Sequence, residues 1–356
     1  MKPFVYSALP SRVIFGSGTL SQLSSEIQRL GCSKALVLTT PQQVDAGEKV
    51  ASLIGDLAVG LYTNATMHTP THVTDDAIKT VSEKRADCVV AVGGGSTIGL
   101  GKAIALRTDL PQIVIPTTYA GSEATPIIGQ TENNVKTTQK TLKVLPEVVI
   151  YDVTLTLTLP AQMTITSGMN AIAHAVEALY SPEANPVINL LAEQGVASIA
   201  KALPIIHKNP QDLEARSDAL YGAWACGTCL GAVGMSLHHK LCHTLGGTFN
   251  MPHAETHTVI LPHAIAYNAP HISASLSILA RALNTTPSNV PGLLFDMSKD
   301  LGAPYSLKQL GFKEEDVEKA ADIAAKAPYP NPAPLERERL MVLLRNAWEG
   351  KRPAVD

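Results

Sequence analysis

A chain of 356 residues and 37.7 kDa is too long for one ordinary domain and short for three. Hydrophobic residues make up 45% and charged residues only 17%, a balance that excludes a disordered chain. A net charge of −3, a pI near 6.4 and 4% aromatics give no electrostatic or stacking basis for binding nucleic acid.

No apolar run reaches the roughly 18 residues of a membrane span, and Met1-Lys2-Pro3-Phe4 carries no signal-peptide core. The expectation is a cytoplasmic protein with neither a nucleic-acid nor a membrane partner. In chain order, β-branched runs predict strands at Arg12–Phe15, Lys34–Thr39, Val59–Tyr62, Cys88–Val92, Gln112–Pro116 and Glu147–Tyr151. Amphipathic segments at Thr19–Leu30, Asp45–Gly55, Asp75–Lys84 and Ile98–Leu106 alternate with them. Continuous apolar strands separated by helices predict a parallel sheet covered on both faces. Beyond Thr154 only helical periodicity remains, at Ala161–Tyr180, Pro186–Lys208, Leu213–Leu230, Ser236–Gly246, His253–Tyr267, Ile272–Leu283, Glu314–Ala325 and Leu335–Trp348. The predicted fold class is an α/β, Rossmann-like amino-terminal domain (1–156) followed by an all-α substrate-binding and catalytic domain (157–356).

Five scattered cysteines argue against a disulfide framework. Cys226 and Cys229 form a C-x-x-C, but their small-residue surroundings read as a packed helix rather than a metal knuckle.

Ligand chemistry is written first in Gly93-Gly94-Gly95-Ser96, between an apolar strand and a helix. Absent Cβ atoms let backbone N–H groups and a helix amino terminus approach a phosphate. Pro116-Thr117-Thr118-Tyr119-Ala120-Gly121-Ser122-Glu123 follows the next strand, and loops at the carboxyl ends of neighbouring parallel strands share one crevice. Dinucleotide binding is the expectation, with an empty strand-to-helix turn as the alternative. In the helical half, Asn170 and His174 stand four apart, as do His239 and His243, with His253 opening the next helix. Face-sharing histidines on small-residue helices point to a reacting cleft, against the plainer reading of a buried hydrogen-bond network.

Together these motifs resemble the iron-containing alcohol dehydrogenase superfamily over essentially the whole chain, from Phe15-Gly16-Ser17-Gly18 to the His239–His263 region. The resemblance implies an architecture shared with dehydroquinate synthases and an NAD(P)-dependent oxidoreductase. By it, Gly93, Gly94, Gly95, Ser96, Thr117, Thr118, Tyr119 and Ser122 hold the dinucleotide. The metal ligands fall at Asn170, His174, His239 and His253, with His243 near the nicotinamide; a homodimer is implied as well. Met67-His68-Thr69-Pro70, the run from Gly168 to Tyr180, and Pro328-Tyr329-Pro330-Asn331-Pro332 resemble a subfamily of reductases. These saturate the conjugated double bond of a small oxo-dicarboxylate in aromatic-compound degradation.

Where the family has an aspartate, this chain has Asn170. A neutral carbonyl compensates a divalent cation poorly, which predicts a vestigial site and no metal. Three histidines can still hold zinc, so a metal-dependent alcohol dehydrogenase remains the alternative. Freed imidazoles can act as acids, which casts His243 or His253 as proton donor, with His174 and His239 positioning the substrate. Donors for a dianion are sought at His68, Asn170, Lys102 and Tyr329, with Lys240 ranked last. Thr40 replaces the aspartate that repels a 2′-phosphate in related enzymes, which predicts NADH as cofactor with NADPH tolerated. Two further readings are a non-catalytic dinucleotide sensor, which leaves the facing histidines without a purpose, and a lyase of the dehydroquinate-synthase type, which net consumption of NADH would exclude.

Overall fold

The computed structural model describes residues 3–132, 135–326 and 329–355. It divides into two compact units, one spanning Ala8–Leu159 and the other running from Pro160 onward together with the residues up to Ser7.

The first unit runs β1 (Arg12–Gly16), α1 (Leu23–Arg29), β2 (Ala35–Leu38), α2 (Val44–Ile54), β3 (Ala58–Tyr62), α3 (Thr71–Lys84), β4 (Cys88–Gly93), α4 (Gly95–Thr108) and β5 (Gln112–Pro116). It closes with β6 (Ile127–Glu132), β7 (Val135–Lys140) and β8 (Val148–Asp152). Six strands form one sheet in the order β1-β8-β5-β4-β2-β3, and every pairing is parallel.

Successive side chains point to opposite faces of a strand, and both faces are dry. Val37, Val90, Val92, Ile113 and Ile115 pack with Ile27 of α1 and with Val50 and Ile54 of α2. Their neighbours Leu36, Leu38, Val89, Ala91 and Val114 pack with Val81 of α3 and Ile98 and Ile104 of α4. The helices following β2 and β4 therefore lie on opposite faces, although the two strands are adjacent. This is the topological switch point, where α/β sheets open a crevice beyond their carboxyl ends.

The sequence places no element between Pro116 and Glu147, yet β6 and β7 form an antiparallel hairpin there. Its threonine- and lysine-rich strands lack apolar alternation, so nothing local announces it. Two anchors hold it, the Lys102 ammonium on the Ile127 carbonyl and the Thr131 N–H on the Thr69 carbonyl.

In the second unit follow α5 (Ala161–Tyr180), α6 (Pro186–Lys208), α7 (Leu213–Ala232), α8 (Leu237–Phe249), α9 (His253–Asn268), α10 (Ser273–Ala282), α11 (Val290–Asp300), α12 (Val317–Lys326) and α13 (Arg337–Glu349). No strand follows Asp152 among the described residues. Helix α11 has no counterpart among the predicted segments; its Pro291 occupies the tolerated first turn. Gly195 of α6 and Gly222 of α7 bring the helices into backbone contact, since a Cβ on Gly222 would lie 2.8 Å from the Gly195 carbonyl oxygen. Cys226 and Cys229 are fully buried on this tight helix, and burial pushes the Cys226 thiol well above its ordinary pKa. The C-x-x-C is thus a packing element. No single helix is long and apolar enough to cross a membrane among the described residues.

Candidate active site

Three loops leave the carboxyl edge of β2, β4 and β5 and interlock. Gly93 adopts φ +150°, and a Cβ there would meet Thr97 Oγ1 at 2.6 Å and Gln43 Oε1 at 2.8 Å. A Cβ on Gly94 would lie 2.9 Å from Thr118 Cγ2, whereas one on Gly95 would meet nothing within 4 Å. Gln43 Nε2 donates to Thr117 Oγ1 at 3.1 Å, and Thr117 N–H donates to the Gly93 carbonyl at 3.0 Å. So the glycines divide their labour: Gly93 and Gly94 let the loops close on one another, and Gly95 alone leaves open space.

Gly95 and Ser96 open the 14-residue helix α4, whose first N–H groups have no intrahelical acceptor. Thr118 Oγ1 is buried without a hydrogen-bond partner beside them. Open space, unbonded donors and an orphaned hydroxyl fit a phosphate group. Thr40 and Ser122 are half-buried in the same loop set.

Two residues expected at ligand-facing positions belong elsewhere. Tyr119 is fully buried, so its side chain is not exposed at the crevice. Lys102 is also fully buried. Its ammonium donates to the carbonyls of Ser122 (2.5 Å), Thr125 (2.7 Å) and Ile127 (2.8 Å) and to Thr125 Oγ1 (3.0 Å). Burial lowers its pKa to about 7, opposed by the buried carboxylate of Glu123. An ammonium saturated by four oxygens has no donor left for substrate, so Lys102 is withdrawn from the substrate set. A lysine eight residues after a glycine loop looks available in sequence; only the fold reveals that it points inward.

His68 and Thr69 are consecutive non-glycine residues in left-handed backbone, at φ 68° and 47°. Each costs on the order of 1 kcal/mol and persists only where surroundings hold it. Here the Thr69 side chain occupies the space left by Gly99, where a Cβ would overlap its hydroxyl. Gly99 is therefore the partner of the strained turn that presents the half-buried His68.

In the second unit, three helices assemble the histidines. Asn170, His174 and Glu177 project from α5, His238, His239 and His243 from α8, and His253 and His257 from α9. Ring centroids are 5.2 Å apart for His174 and His239, 4.9 Å for His239 and His257, 4.4 Å for His253 and His257, and 6.1 Å for His239 and His243. The rings of His174, His239, His243 and His253 thus fall in one cluster through His257, with Asn170 one turn before His174 on α5. Asn170, His174 and His239 are buried, while His243 and His253 are exposed.

The organising residue is one to which the sequence reading gave no role. Glu177 is fully buried at the amino terminus of α8. One carboxylate oxygen accepts the N–H of Ser236 at 2.9 Å, the N–H of His239 at 3.3 Å and His239 Nδ1–H at 2.7 Å. The other accepts the His238 N–H at 2.7 Å and the Tyr180 hydroxyl at 3.3 Å. Burial alone would raise its pKa, but these donors outweigh it and lower the value to about 2. An ionised Glu177 fixes Nδ1 of His239 as a donor and leaves Nε2, buried and without a partner, pointing elsewhere. The only sequence signal was spacing: 170, 174 and 177 share a helix face.

Behind them, His238 Nε2 and His257 Nδ1 share a hydrogen bond of 2.8 Å. Burial and neighbouring imidazoles push His174 and His257 well below the ordinary histidine pKa, and His238 to about 3. His263 lies apart, edge-on to Phe295. Tyr329 is half-buried, its hydroxyl lacking a partner and its ring 5.8 Å beneath the Lys240 ammonium. Ala333 is buried in the helical core.

A six-stranded parallel sheet with a glycine loop, followed by helices that gather histidines, defines a dehydrogenase of the iron-containing type. Residues 10–153 match the iron-containing alcohol dehydrogenase family and residues 164–348 match the Fe-containing alcohol dehydrogenase family, C-terminal. The chain belongs to the iron-containing alcohol dehydrogenase family and is an oxidoreductase. It is 55% identical to maleylacetate reductase of Burkholderia cepacia over 99% of this chain and 100% of that one. The crystal structure of maleylacetate reductase from Agrobacterium tumefaciens superposes with a TM-score of 0.96 at 54% identity, covering 99% of this chain and 100% of that one. A 1,3-propanediol oxidoreductase structure, at 26% identity, reaches 0.92 over 98% and 100% of the two chains.

The family implies a resident metal at Asn170, His174, His239 and His253. Among the described residues, the ligand atoms of His174, His239 and His253 do not gather within 4.8 Å of one another. The only family ligand carrying a charge is here an amide, its Oδ1 buried and unpaired. Asn170 Oδ1, His174 Nδ1 and His239 Nε2 are all buried without partners, but the set lacks the carboxylate that would balance a divalent charge.

Proposed function

We propose that the chain reduces the conjugated double bond of maleylacetate to 3-oxoadipate, late in the breakdown of aromatic compounds, with NADH as reductant and without a metal. The observation that carries the reading is the near-full-length likeness to maleylacetate reductases, which extends over both units. A bound dihydronicotinamide supplies hydride to the alkene carbon β to the ketone. Gly95, Ser96 and Thr118 are the residues available to its phosphates, with Thr40 toward the ribose.

Addition to an enone spreads charge over an enolate, which hydrogen-bond donors can stabilise, whereas a simple ketone gives a localised alkoxide that calls more strongly for a Lewis acid. The amide at Asn170, where a carboxylate would balance the charge of a divalent cation, supports the metal-free route. His243 and His253 are the exposed imidazoles of the cluster, and protonation of the α-carbon is assigned to one of them. His239, oriented by Glu177, and His174 position the substrate, with Tyr329 as a further contact. Thr40 brings no charge to repel a 2′-phosphate, so NADPH is accepted as well.

The test is NADH oxidation with freshly prepared maleylacetate in the presence of a strong chelator. An undiminished rate is expected. Activity that vanishes with the chelator and returns with stoichiometric metal would instead establish the metal-dependent alternative.

A further inference from the structure

At the other end of the sheet from the glycine loop, three ligand-type side chains meet. Cys32 lies in the turn between α1 and β2, and Asp87 and Cys88 lead into β4, whose first residue pairs in register with Ala35. The two sulfurs and a carboxylate oxygen all lie within 4.8 Å of one another. The Asp87 carboxylate is held in place by the N–H of Ser33 (2.9 Å), the N–H of Lys34 (2.8 Å) and the Ser33 hydroxyl (3.2 Å). Cys88 is fully buried, Cys32 is 8% exposed and Asp87 is half-buried, so the cluster is shielded on its inner side and reachable from outside.

We propose that Cys32, Cys88 and Asp87 form a binding site for one thiophilic divalent cation of the zinc type. Tetrahedral zinc bonds of about 2.3 Å to sulfur place two thiolates about 3.8 Å apart, within the spread already present. Two thiolates and a carboxylate match a borderline-soft dication, and three protein ligands leave the remaining position to solvent. The oxygen ligand is oriented by backbone donors, as outer-shell partners orient ligands in established sites. Burial and the nearby Asp87 raise both thiol pKa values. The pair is thus slow to react with oxidants, whereas a cation displaces both thiol protons on binding. The ion would clip the α1–β2 turn to β4, remote from the nucleotide-facing loops at the opposite strand ends.

The chelator-treated full chain is titrated with Co2+. Uptake of one ion per chain with a near-ultraviolet sulfur-to-cobalt band is expected. The band should vanish in Cys32→Ala/Cys88→Ala, persist in Cys242→Ala, and need at least tenfold more Co2+ in Asp87→Asn. On the unsubstituted chain, Zn2+ should slow alkylation of Cys32 at least tenfold, which tests the site even if the double variant folds poorly. A missing sulfur band, a band surviving the double cysteine variant, a band lost instead with Cys242, or unshielded Cys32 would each overturn the proposal.

Discussion

Replacing Glu177 with glutamine changes a single atom type, yet the structure leaves the amide no acceptable orientation. If its nitrogen faces Ser236 and His239, two backbone N–H groups confront a donor; if it faces His238, the N–H now bonded at 2.7 Å does so. At least one buried donor is orphaned, at about 1–3 kcal/mol. Glu177 is fully buried, so solvent screening gives little relief. A separate measure comes from its pKa, lowered from 4.5 to about 2, which corresponds to about 3 kcal/mol. The sign is that of a depressed acid: this stability is present above the unfolded pKa and lost as pH falls from about 4.5 through about 2. Urea unfolding at neutral pH is expected to show Glu177→Gln less stable by about 2–4 kcal/mol. The gap between the two proteins should narrow in acid across that window. A variant within about 0.5 kcal/mol of the parent, or a gap independent of pH, would refute the assignment of Glu177 as the anchor of α8.

The glycine loop offers a paired test: Gly95→Ala should unfold like the parent while raising KM for NADH, and Gly93→Ala, strained and crowded by Thr97 and Gln43, should lower Tm sharply. Equal effects on Tm would contradict the division between packing and ligand-facing glycines. Lys102→Met strips four acceptors of their donor and is expected to cost at least about 3 kcal/mol in thermal unfolding, weakening NADH affinity in parallel. Asn170→Asp adds a buried charge among neutral imidazoles, so its Tm should fall without metal and recover with Zn2+; a Tm indifferent to Zn2+ would show that the carboxylate alone does not restore the site.

Periodicity made the parallel sheet and most helices legible, because apolar strands buried on both faces and amphipathic helices leave local signatures. The hairpin at 127–140 left none, since its strands are stabilised by Lys102 and Thr69 rather than by an apolar face. Helix α4 starts at Gly95 rather than Ile98, because glycines that argue for a loop here sit in the helix's first turn. In the site, same-helix spacing exposed Asn170 with His174 and His239 with His243. What joins those pairs is Glu177, a helix-to-helix contact across about sixty positions that no local pattern encodes. Lys102 was misjudged for the same reason: burial is a property of the fold, and the sequence shows only proximity to the loop.

The capping of α8 has a further consequence. A helix amino terminus carries roughly half a positive charge, and here a whole buried carboxylate sits on it. The histidine cluster is therefore no ready-made cationic patch: His174, His238 and His257 are held uncharged around one fixed anion. Attraction for the proposed dianionic substrate therefore has to come from groups other than these three imidazoles.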